Sequence, residues 1–419
     1  MILTKDEEFM AEGKYGPGIE RCMKLLIKYG EALGGERLVN VSSAHVFNGY
    51  PLDLLTELAE GADGSGAFTT LHPFMSLSDP SACEAMGISE KHYSPKNEEH
   101  EQKRQVYKRL GFFETYTCTP HLVGNLPKKG DYVSWFGSGV QLVANSIIGA
   151  KQNRDGAVVN MAIALTGKAP LQGLYLDENR YAEVLVELGD VDLAQLSTTD
   201  YGAIGYYVGG RAQDRNTVID GLSRSITLDQ IKYLLTPMST SGAVSICHIV
   251  GVTPEAPELK AALGNKAPKE KIHVGKREIR STIETYSHAK SEVDLVLFGC
   301  PHCSIQELKE IAIGLQGKKV GMNQRLWIGT AHQTYDLAQT MGYSQIIEKA
   351  GGTVARTCMA TLPDCPIPED VKVIATNSFK TAHYVSAISK GRIEPIIGHL
   401  EACVHAAVTG RWKGECSWN

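Results

Sequence analysis

The sequence has no long hydrophobic run. No stretch of its 419 residues approaches the roughly 18 consecutive apolar residues that a membrane-spanning helix needs. Its first residues, "MILTKDEEFM", lack the apolar core of a signal peptide. We therefore expect no membrane partner and a cytoplasmic location.

An excess of charge of one sign is also missing. The chain has 42 Lys and Arg residues against 47 Asp and Glu residues, which gives a net charge of −5. Nucleic acids and anionic membranes attract strongly basic surfaces, so we expect neither as a partner. The remaining composition is that of a globular protein, with 43% hydrophobic residues. At about 100–200 residues per domain, the length predicts two to four domains, or one large enzyme body of several α/β lobes.

Several motifs with well-defined chemistry are absent. The sequence contains no G-x-x-x-x-G-K-[ST] loop for nucleotide phosphates, no H-E-x-x-H zinc motif and no G-x-S-x-G nucleophile turn. The run "YYVGGR" does not have the spacing of a dinucleotide-binding fingerprint. The chemistry of this chain must therefore be inferred from other residues.

Cysteine is the residue type that suggests a reactive site. A cytosolic compartment disfavours structural disulfides, and most free cysteines pack as small hydrophobic residues. The pair in "GCPHCS", Cys300 and Cys303, could bind a metal, form a redox disulfide or fill space. Structural zinc sites bring a second close pair, and Cys365 lies too far beyond Cys358 to supply one. The ten cysteines are Cys22, Cys83, Cys118, Cys247, Cys300, Cys303, Cys358, Cys365, Cys403 and Cys416.

The pattern of apolar residues predicts an α/β fold. From residue 271 onward, strand-like runs such as "DLVLFG" and "RLWIGT" alternate with amphipathic runs such as "SIQELKEIAIGLQ". Units of this kind are typical of a largely parallel sheet with helices on both faces. Residues 1–270 are expected to form an N-terminal α/β region of two lobes, and residues 271–419 a C-terminal α/β domain. The segment at 256–271 is the best boundary between them.

The N-terminal half gives more local predictions. Two helices are expected, broken at "GPG" (16–18), and Thr4 with Glu7 fits a capping box for the first. Strands are predicted for "RLVNVSSAHVF", for "ETYT" just before Cys118 and for "AVVNMAIALTG".

Three cysteines share one kind of position. Cys118, Cys300 and Cys358 each follow a predicted strand. Ligands of α/β enzymes bind at the carboxyl edges of the strands, and thiolates select zinc or iron–sulfur clusters. Three protein ligands would leave one metal position open for substrate, as in catalytic sites. The alternative is that these cysteines only pack in the core.

Polar loop residues form a second group of candidates. The run "NSIIGAKQNRDG" offers Asn145, Ser146, Lys151, Asn153 and Arg154, whose donors could hold a carboxylate or a phosphate. Isolated histidines are more often structural than catalytic. They occur in four polar segments, as His45, His72, His121 and His248.

Collinear segments of the chain resemble the aconitase X family, in particular its large-subunit or catalytic region. These segments are "TCTPHLVGNLPKKGDYVSW", "ANSIIGAKQNRDG", "LTGKAPLQGLYLDENR", "DYGAIGYYVGG", "SGAVSICHIVGVTPEA", "LFGCPHCS" and "ATNSFKTAHYVSA". The resemblance implies aconitase-like α/β/α lobes around a central cluster site. It also implies a hydro-lyase that removes water from a small hydroxy acid. Relatives include cis-3-hydroxy-L-proline dehydratase and mevalonate 5-phosphate dehydratase.

The resemblance also implies a cofactor and a partner. Cys118, Cys300 and Cys358 would hold an iron–sulfur cluster, [4Fe-4S] in the first instance, with a smaller cluster or mononuclear iron as alternatives. Cys303 would then be a bystander. A separate small swivel-domain subunit would complete the site and carry the serine base, since we expect no room for that domain in a chain that ends at Asn419.

Further site residues follow from the same resemblance. Substrate would be bound by residues of the polar loop, and catalysis would involve residues at strand ends together with one lysine. The substrate-binding set is Asn145, Ser146, Lys151 and Arg154. The catalytic set is Ser43, His45, Thr69, Thr70 and Lys380.

The chain departs from the family pattern at several positions. Phe136-Gly137 stands where the family carries a glutamate, Lys151 and Tyr175 stand where it has arginine and histidine, and Arg356 replaces an aspartate. Lysine does not replace a bidentate arginine without loss, which counts against a phosphorylated substrate. These changes predict an altered substrate. They leave open a divergent metal- or thiol-dependent isomerase, or a non-catalytic binding subunit.

Overall fold

The computed structural model describes residues 1–73, 80–286, 292–358 and 367–413, except for the side chains of His92 and Lys96. Cys365 and Cys416, two of the ten cysteines, lie outside the described residues. No helix in the described ranges is both long and apolar enough to cross a membrane.

The first part of the chain is built on a three-stranded parallel sheet with strand order β3-β2-β4. A small antiparallel pair, β1 and β5, lies beside it. The strands are β1 (Leu38–Asn40), β2 (Ser43–Val46), β3 (Phe68–Leu71), β4 (Val133–Trp135) and β5 (Lys168–Pro170). The helices are α1 (Lys5–Ala11), α2 (Pro17–Ala32), α3 (Leu52–Leu58), α4 (Pro80–Ala85), α5 (Glu90–Arg109), α6 (Ser138–Leu142) and α7 (Ala157–Thr166).

The middle part contains a four-stranded parallel sheet. Its strands are β6 (Val184–Leu188), β7 (Thr217–Asp220), β8 (Cys247–Ile249) and β9 (Glu270–Val274), in the order β8-β7-β6-β9. Its helices are α8 (Thr198–Ala212), α9 (Leu228–Gly242), α10 (Leu259–Ala262) and α11 (Lys276–Glu284). The predicted boundary at residue 270 coincides with the first residue of β9, which pairs with β6. The division into 1–270 and 271–419 stays a prediction.

The last part contains a five-stranded parallel sheet. Its strands, numbered in chain order, lie side by side as β12-β11-β10-β13-β14. These strands are β10 (Leu295–Cys303), β11 (Arg325–Thr330), β12 (Thr353–Ala355), β13 (Val373–Thr376) and β14 (Glu394–Ile397). The helices are α12 (Ile305–Leu315), α13 (His332–Met341), α14 (Tyr343–Ala350), α15 (Phe379–Ile388) and α16 (Leu400–Thr409). The predicted α/β class with largely parallel sheets is therefore confirmed.

Local sequence signals explain where several helices begin and end. The predicted capping box at Thr4 and Glu7 is present, and α1 and α2 are separate, as expected. Ser304 and Glu307 form a second box at the start of α12. The helical run from 332 to 350 is divided at Gly342, whose φ of 81° ends α13. Glycine adopts this left-handed conformation without the steric penalty of a side chain.

Two predicted strands are wrong. Residues 157–166 form the buried helix α7, in which small apolar residues on all faces leave no periodicity to separate helix from strand. Residues 114–117 form an irregular segment beside the end of β3. There Tyr116 has a φ of 40°, and Thr117 donates a backbone hydrogen bond of 3.1 Å to Leu71. Cys118 therefore follows a loop and not a strand.

Candidate active site

The carboxyl edges of the first and third sheets face a common cavity. From the first sheet, His72 follows β3, and Phe136 follows β4. From the third sheet, Lys380 lies in the first turn of α15, just after β13. Carboxyl edges are where α/β folds bind their ligands, because the connecting loops gather there.

The three predicted ligand cysteines converge beside this cavity. Cys300 lies at the irregular end of β10, and Cys358 lies three residues beyond β12. Their thiols are hydrogen-bonded to each other, and this bond together with burial raises the pKa of Cys300 well above its usual value. The sulfur of Cys118 accepts a hydrogen bond of 3.0 Å from the backbone N–H of His302. Burial raises the pKa of Cys118 to about 11.

Lys380 is a cation close to all three thiols. Burial alone would lower the pKa of Lys380, but the neighbouring Cys300 and Cys118 outweigh burial, and the pKa is raised. The same lysine opposes the effect of burial on the pKa of each of these thiols. A charged ammonium group next to three sulfur atoms favours their anionic forms.

The three thiols are donors of the type that iron–sulfur clusters use. Within the described part of the chain, no three His, Cys, Asp or Glu side chains are arranged to hold one metal ion. A mononuclear site needs donors that converge to about 2.3 Å from one point. A cluster distributes its thiolates over several iron atoms, so the ligands need only be neighbours. Cys118, Cys300 and Cys358 are soft donors of the kind that clusters use.

The cavity has a volume of about 670 Å³ and a mixed lining. Arg154 and Lys380 are the cations among its described lining residues, and Asp155 is the carboxylate. Phe136 and Ile388 contribute apolar surface. The remaining lining residues are His72, Gly137, Ser138, Gln141, Gly156 and Tyr384. Such a pocket suits a small organic acid with an apolar body.

Asp155 is a buried acid in this wall. Its side chain accepts a hydrogen bond of 2.8 Å from the hydroxyl of Tyr29. Burial nevertheless raises the pKa of Asp155 to about 6. Sequence reasoning missed this residue, although it directly follows Arg154 in the polar loop.

Two buried histidines of the first sheet have lowered pKa values. Burial lowers the pKa of His45 to about 3 and also lowers the pKa of His72. Their rings lie edge to face with centroids 5.6 Å apart. His45 Nδ1 is 2.8 Å from the hydroxyl of Thr70, so two of the predicted catalytic residues contact each other.

Ser43 and Thr70 belong to a buried polar network around the first sheet, and Thr69 is a buried residue of β3 outside that network. The Ser43 hydroxyl donates to Asn125 Oδ1 at 2.5 Å and accepts from the indole N–H of Trp135 at 2.8 Å. Asn125 also donates to the Thr70 hydroxyl at 2.8 Å. Thr69 donates to the carbonyl of residue 67 at 2.9 Å. Asn125 lies within the family-like run "TCTPHLVGNLPKKGDYVSW" but was not singled out there, so its central position was not predicted.

The polar loop divides into scaffold and cavity residues. Asn145 donates to the carbonyls of Gln152 and Ser245 and accepts from Gln152 N–H and from Arg180, so its amide is used within the protein. Ser146 accepts the N–H of Cys247 at 2.9 Å.

Lys151 and Arg154 have different surroundings. Lys151 forms an ion pair of 2.6 Å with Asp177 and is absent from the described cavity lining. Of the four predicted substrate-binding residues, Arg154 is the one that lines the cavity. The described residues provide no hydrogen-bond or ion-pair partner for its guanidinium group, whose pKa is lowered by burial.

The departures from the family pattern fall at different distances from the cavity. Gly137 has a φ of 115°, and a Cβ added there would lie 3.0 Å from His72 Nε2, so the change at 136–137 reshapes the wall. Tyr175 donates a buried hydrogen bond of 3.0 Å to the carbonyl of Val133. Arg356 lies over the ring of Tyr335 and lines a separate polar cavity of about 500 Å³.

Comparison with family models covers nearly the whole chain. The model for the aconitase X first domain matches residues 1–178, the second domain matches 182–284, and the third domain matches 293–409.

Individual relatives agree with this. The phosphomevalonate dehydratase large subunit of Methanocaldococcus jannaschii is 35% identical, over 96% of this chain and 98% of that protein. The cis-3-hydroxy-L-proline dehydratase of Pseudomonas aeruginosa is 29% identical, over 97% of this chain and 70% of that protein. The crystal structure of aconitase X from Thermococcus kodakaraensis in its holo-form matches with a TM-score of 0.83 and 30% identity, over 97% of this chain and 100% of that one.

Proposed function

The chain belongs to the aconitase X family and is a hydro-lyase by class, and we propose that it removes water from a small hydroxy acid with an iron–sulfur cluster held by Cys118, Cys300 and Cys358. The observation that carries the proposal is the meeting of three thiols from separate parts of the chain, beside Lys380 and a cavity. A [4Fe-4S] cluster is the first expectation, and a smaller cluster or mononuclear iron the alternative.

When bound, the cluster would supply a Lewis acid for the substrate hydroxyl and its departure as water. The residues of this chain bind and orient the substrate. Lys380 and Arg154 present positive charge to the cavity, which suits the carboxylate of a hydroxy acid. His72 lines the cavity and can offer a hydrogen bond, and burial lowers the pKa of its ring. Phe136 and Ile388 limit water around the apolar part of the substrate.

We place the general base on a separate small swivel-domain subunit. Support comes from the relatives, several of which are named as large subunits. We also include a cytoplasmic location in the proposal, because a reducing compartment keeps the three thiols available for iron.

Two substrates can be compared directly. cis-3-Hydroxy-L-proline is the first candidate, because the cavity combines cations for its carboxylate, an apolar wall for its ring and Asp155 for its amine. Mevalonate 5-phosphate is the second candidate, because Arg154 and Lys380 both line the cavity, and one could bind its phosphate while the other binds its carboxylate. The lysine at 151 does not discriminate between them, since it pairs with Asp177.

The test is a dehydration assay on anaerobically purified protein with its small subunit. Each substrate is supplied separately, and loss of water is followed by NMR. Turnover of one substrate by iron-loaded protein supports the proposal. Zinc or no metal in the protein, with isomerised or unchanged substrate, would favour an isomerase or a non-catalytic subunit on this fold.

A further inference from the structure

A buried ion pair joins the second and third sheet regions directly behind the thiols. Lys232 of α9 is 4% exposed and pairs with Glu307 of α12, which is also 4% exposed. Lys232 lies 3.3 Å from the carboxylate of Asp229 as well. Neither α9 nor α12 contributes a residue to the described lining of the cavity. The catalytic proposal therefore leaves this pair without a role.

Glu307 is fully engaged at the start of α12. It accepts the hydroxyl of Tyr233 at 2.7 Å and the backbone N–H of Ser304 at 2.8 Å. Removing two charges from water is expensive, and burial of an ion pair is often no more stabilising than a hydrophobic contact. Such a pair is better explained by the position it imposes on nearby groups.

That nearby group is the backbone of His302. The Lys232 ammonium donates a hydrogen bond of 3.2 Å to the His302 carbonyl. The N–H of the same residue donates a hydrogen bond of 3.0 Å to the sulfur of Cys118. The backbone of His302 is therefore hydrogen-bonded at its carbonyl to Lys232 and at its N–H to the sulfur of Cys118.

We propose that Lys232 and Glu307 are positioning residues for the thiol site. They hold the 300–303 segment against α9, so that the His302 N–H points at the Cys118 sulfur. Hydrogen bonds to ligand sulfur atoms are among the features that set the potential of an iron–sulfur cluster. The relevance to the cluster rests on the proposed function, whereas the effect on the backbone does not.

The test begins with the metal-free chain. In Lys232→Met/Glu307→Gln the charges of the pair are removed together. The oxygen of the introduced amide can still accept from the Ser304 N–H, and its nitrogen can donate to the Tyr233 hydroxyl. Amide-resolved hydrogen exchange should become about tenfold faster at His302, because one anchoring bond to a charged donor is lost. The Ser304 amide should remain protected. The matched control is Lys168→Met/Glu7→Gln, which removes another partly buried ion pair, with its charged atoms 3.3 Å apart, in the first part of the chain. It should leave exchange at His302 unchanged.

Unchanged exchange at His302 in the first double variant would overturn the proposal. If that variant unfolds, Lys232→Gln provides the second measurement, since its amide can still contact Glu307. Faster exchange at His302 than in the control variant would again support positioning, and equal exchange would again overturn it.

The iron-loaded protein gives an independent readout. The reduction potential of the cluster should fall in the Lys232 variants, because the N–H that stabilises added negative charge on sulfur is less well aimed. The control variant should keep the wild-type potential, and a potential unchanged in both would overturn the effect on the cluster. If the wild type takes up no iron, the proposed function fails, whereas the exchange at His302 still decides whether Lys232 positions the segment.

Discussion

The hydroxyl of Tyr29 in α2 donates a hydrogen bond of 2.8 Å to Asp155, which lines the cavity at the start of α7. The bond connects helix α2 with the wall of the cavity. It lowers the pKa of Asp155, but burial has the larger effect, and the pKa remains near 6. The wall of the cavity thus contains an acid that titrates close to neutral pH.

This relationship predicts a pH-dependent difference in stability. The folded pKa of Asp155 is raised to about 6 from a usual value of 3.8, so the folded state binds the extra proton between these limits. Stability relative to Asp155→Asn is therefore greatest below pH ~4 and falls by about 3 kcal/mol as the pH rises through 6. Denaturant unfolding of both proteins from pH 4 to 8 checks this.

Tyr29→Phe is the control for that measurement. The hydrogen bond from Tyr29 lowers the pKa of Asp155, so its loss should move the fall in stability to higher pH. A difference between wild type and Asp155→Asn that is constant with pH would contradict the assignment.

The hydrogen bonds of Ser43 predict that replacing this residue lowers stability and has little effect on catalysis. Ser43→Ala leaves the buried indole N–H of Trp135 and Oδ1 of Asn125 without this partner. The free energy of unfolding should fall by about 1–3 kcal/mol. Thermal and urea unfolding measure the loss, while iron content should stay at the wild-type level. Loss of iron with normal stability would instead give Ser43 a direct role at the cluster.

The two cations of the cavity should differ in their kinetic effects. Lys380 lies beside the thiols, so Lys380→Met should lower kcat by about 10²–10³-fold, as expected for removal of a charged group at the reacting centre. Arg154→Lys keeps the charge but loses the bidentate geometry, so it should mainly raise KM. Steady-state kinetics with the better of the two substrates tests both. Full activity of Lys380→Met would remove this lysine from the site.

The sequence predicted the fold well where periodicity was clear. The alternation after residue 271 became the five-stranded sheet, and Cys300 and Cys358 lie at its carboxyl edge, as expected. The strand predicted before Cys118 was wrong because the left-handed conformation of Tyr116 is set by its tertiary surroundings. Helix α7 was misread because it is apolar on every face.

The site was harder to predict than the fold. Asn145, Ser146 and Arg154 are polar and lie in one run, yet the first two bind the backbone of Ser245 and Cys247 and the third lines the cavity. Composition cannot distinguish a donor that serves a substrate from one that serves a neighbouring carbonyl. Asp155 and Asn125 gain their positions from long-range contacts, with Tyr29 and Ser43 respectively.

The cysteines predicted to bind the cluster and the one predicted not to bind it should respond differently to mutation. Cys303 is 2% exposed and packs in the hydrophobic core of the third sheet. Cys303→Ser should therefore keep bound iron, although it should lower stability by burying a hydroxyl. Cys118→Ser, Cys300→Ser and Cys358→Ser should each lose iron. Metal analysis of the four variants checks the assignment.

The most direct measurement is the iron and acid-labile sulfide content of the anaerobically purified wild type and of Cys358→Ser. We predict that the wild type contains both iron and sulfide and that the variant loses both together. Sulfide-free wild-type protein, or a Cys358→Ser variant with undiminished iron and sulfide, would contradict the account.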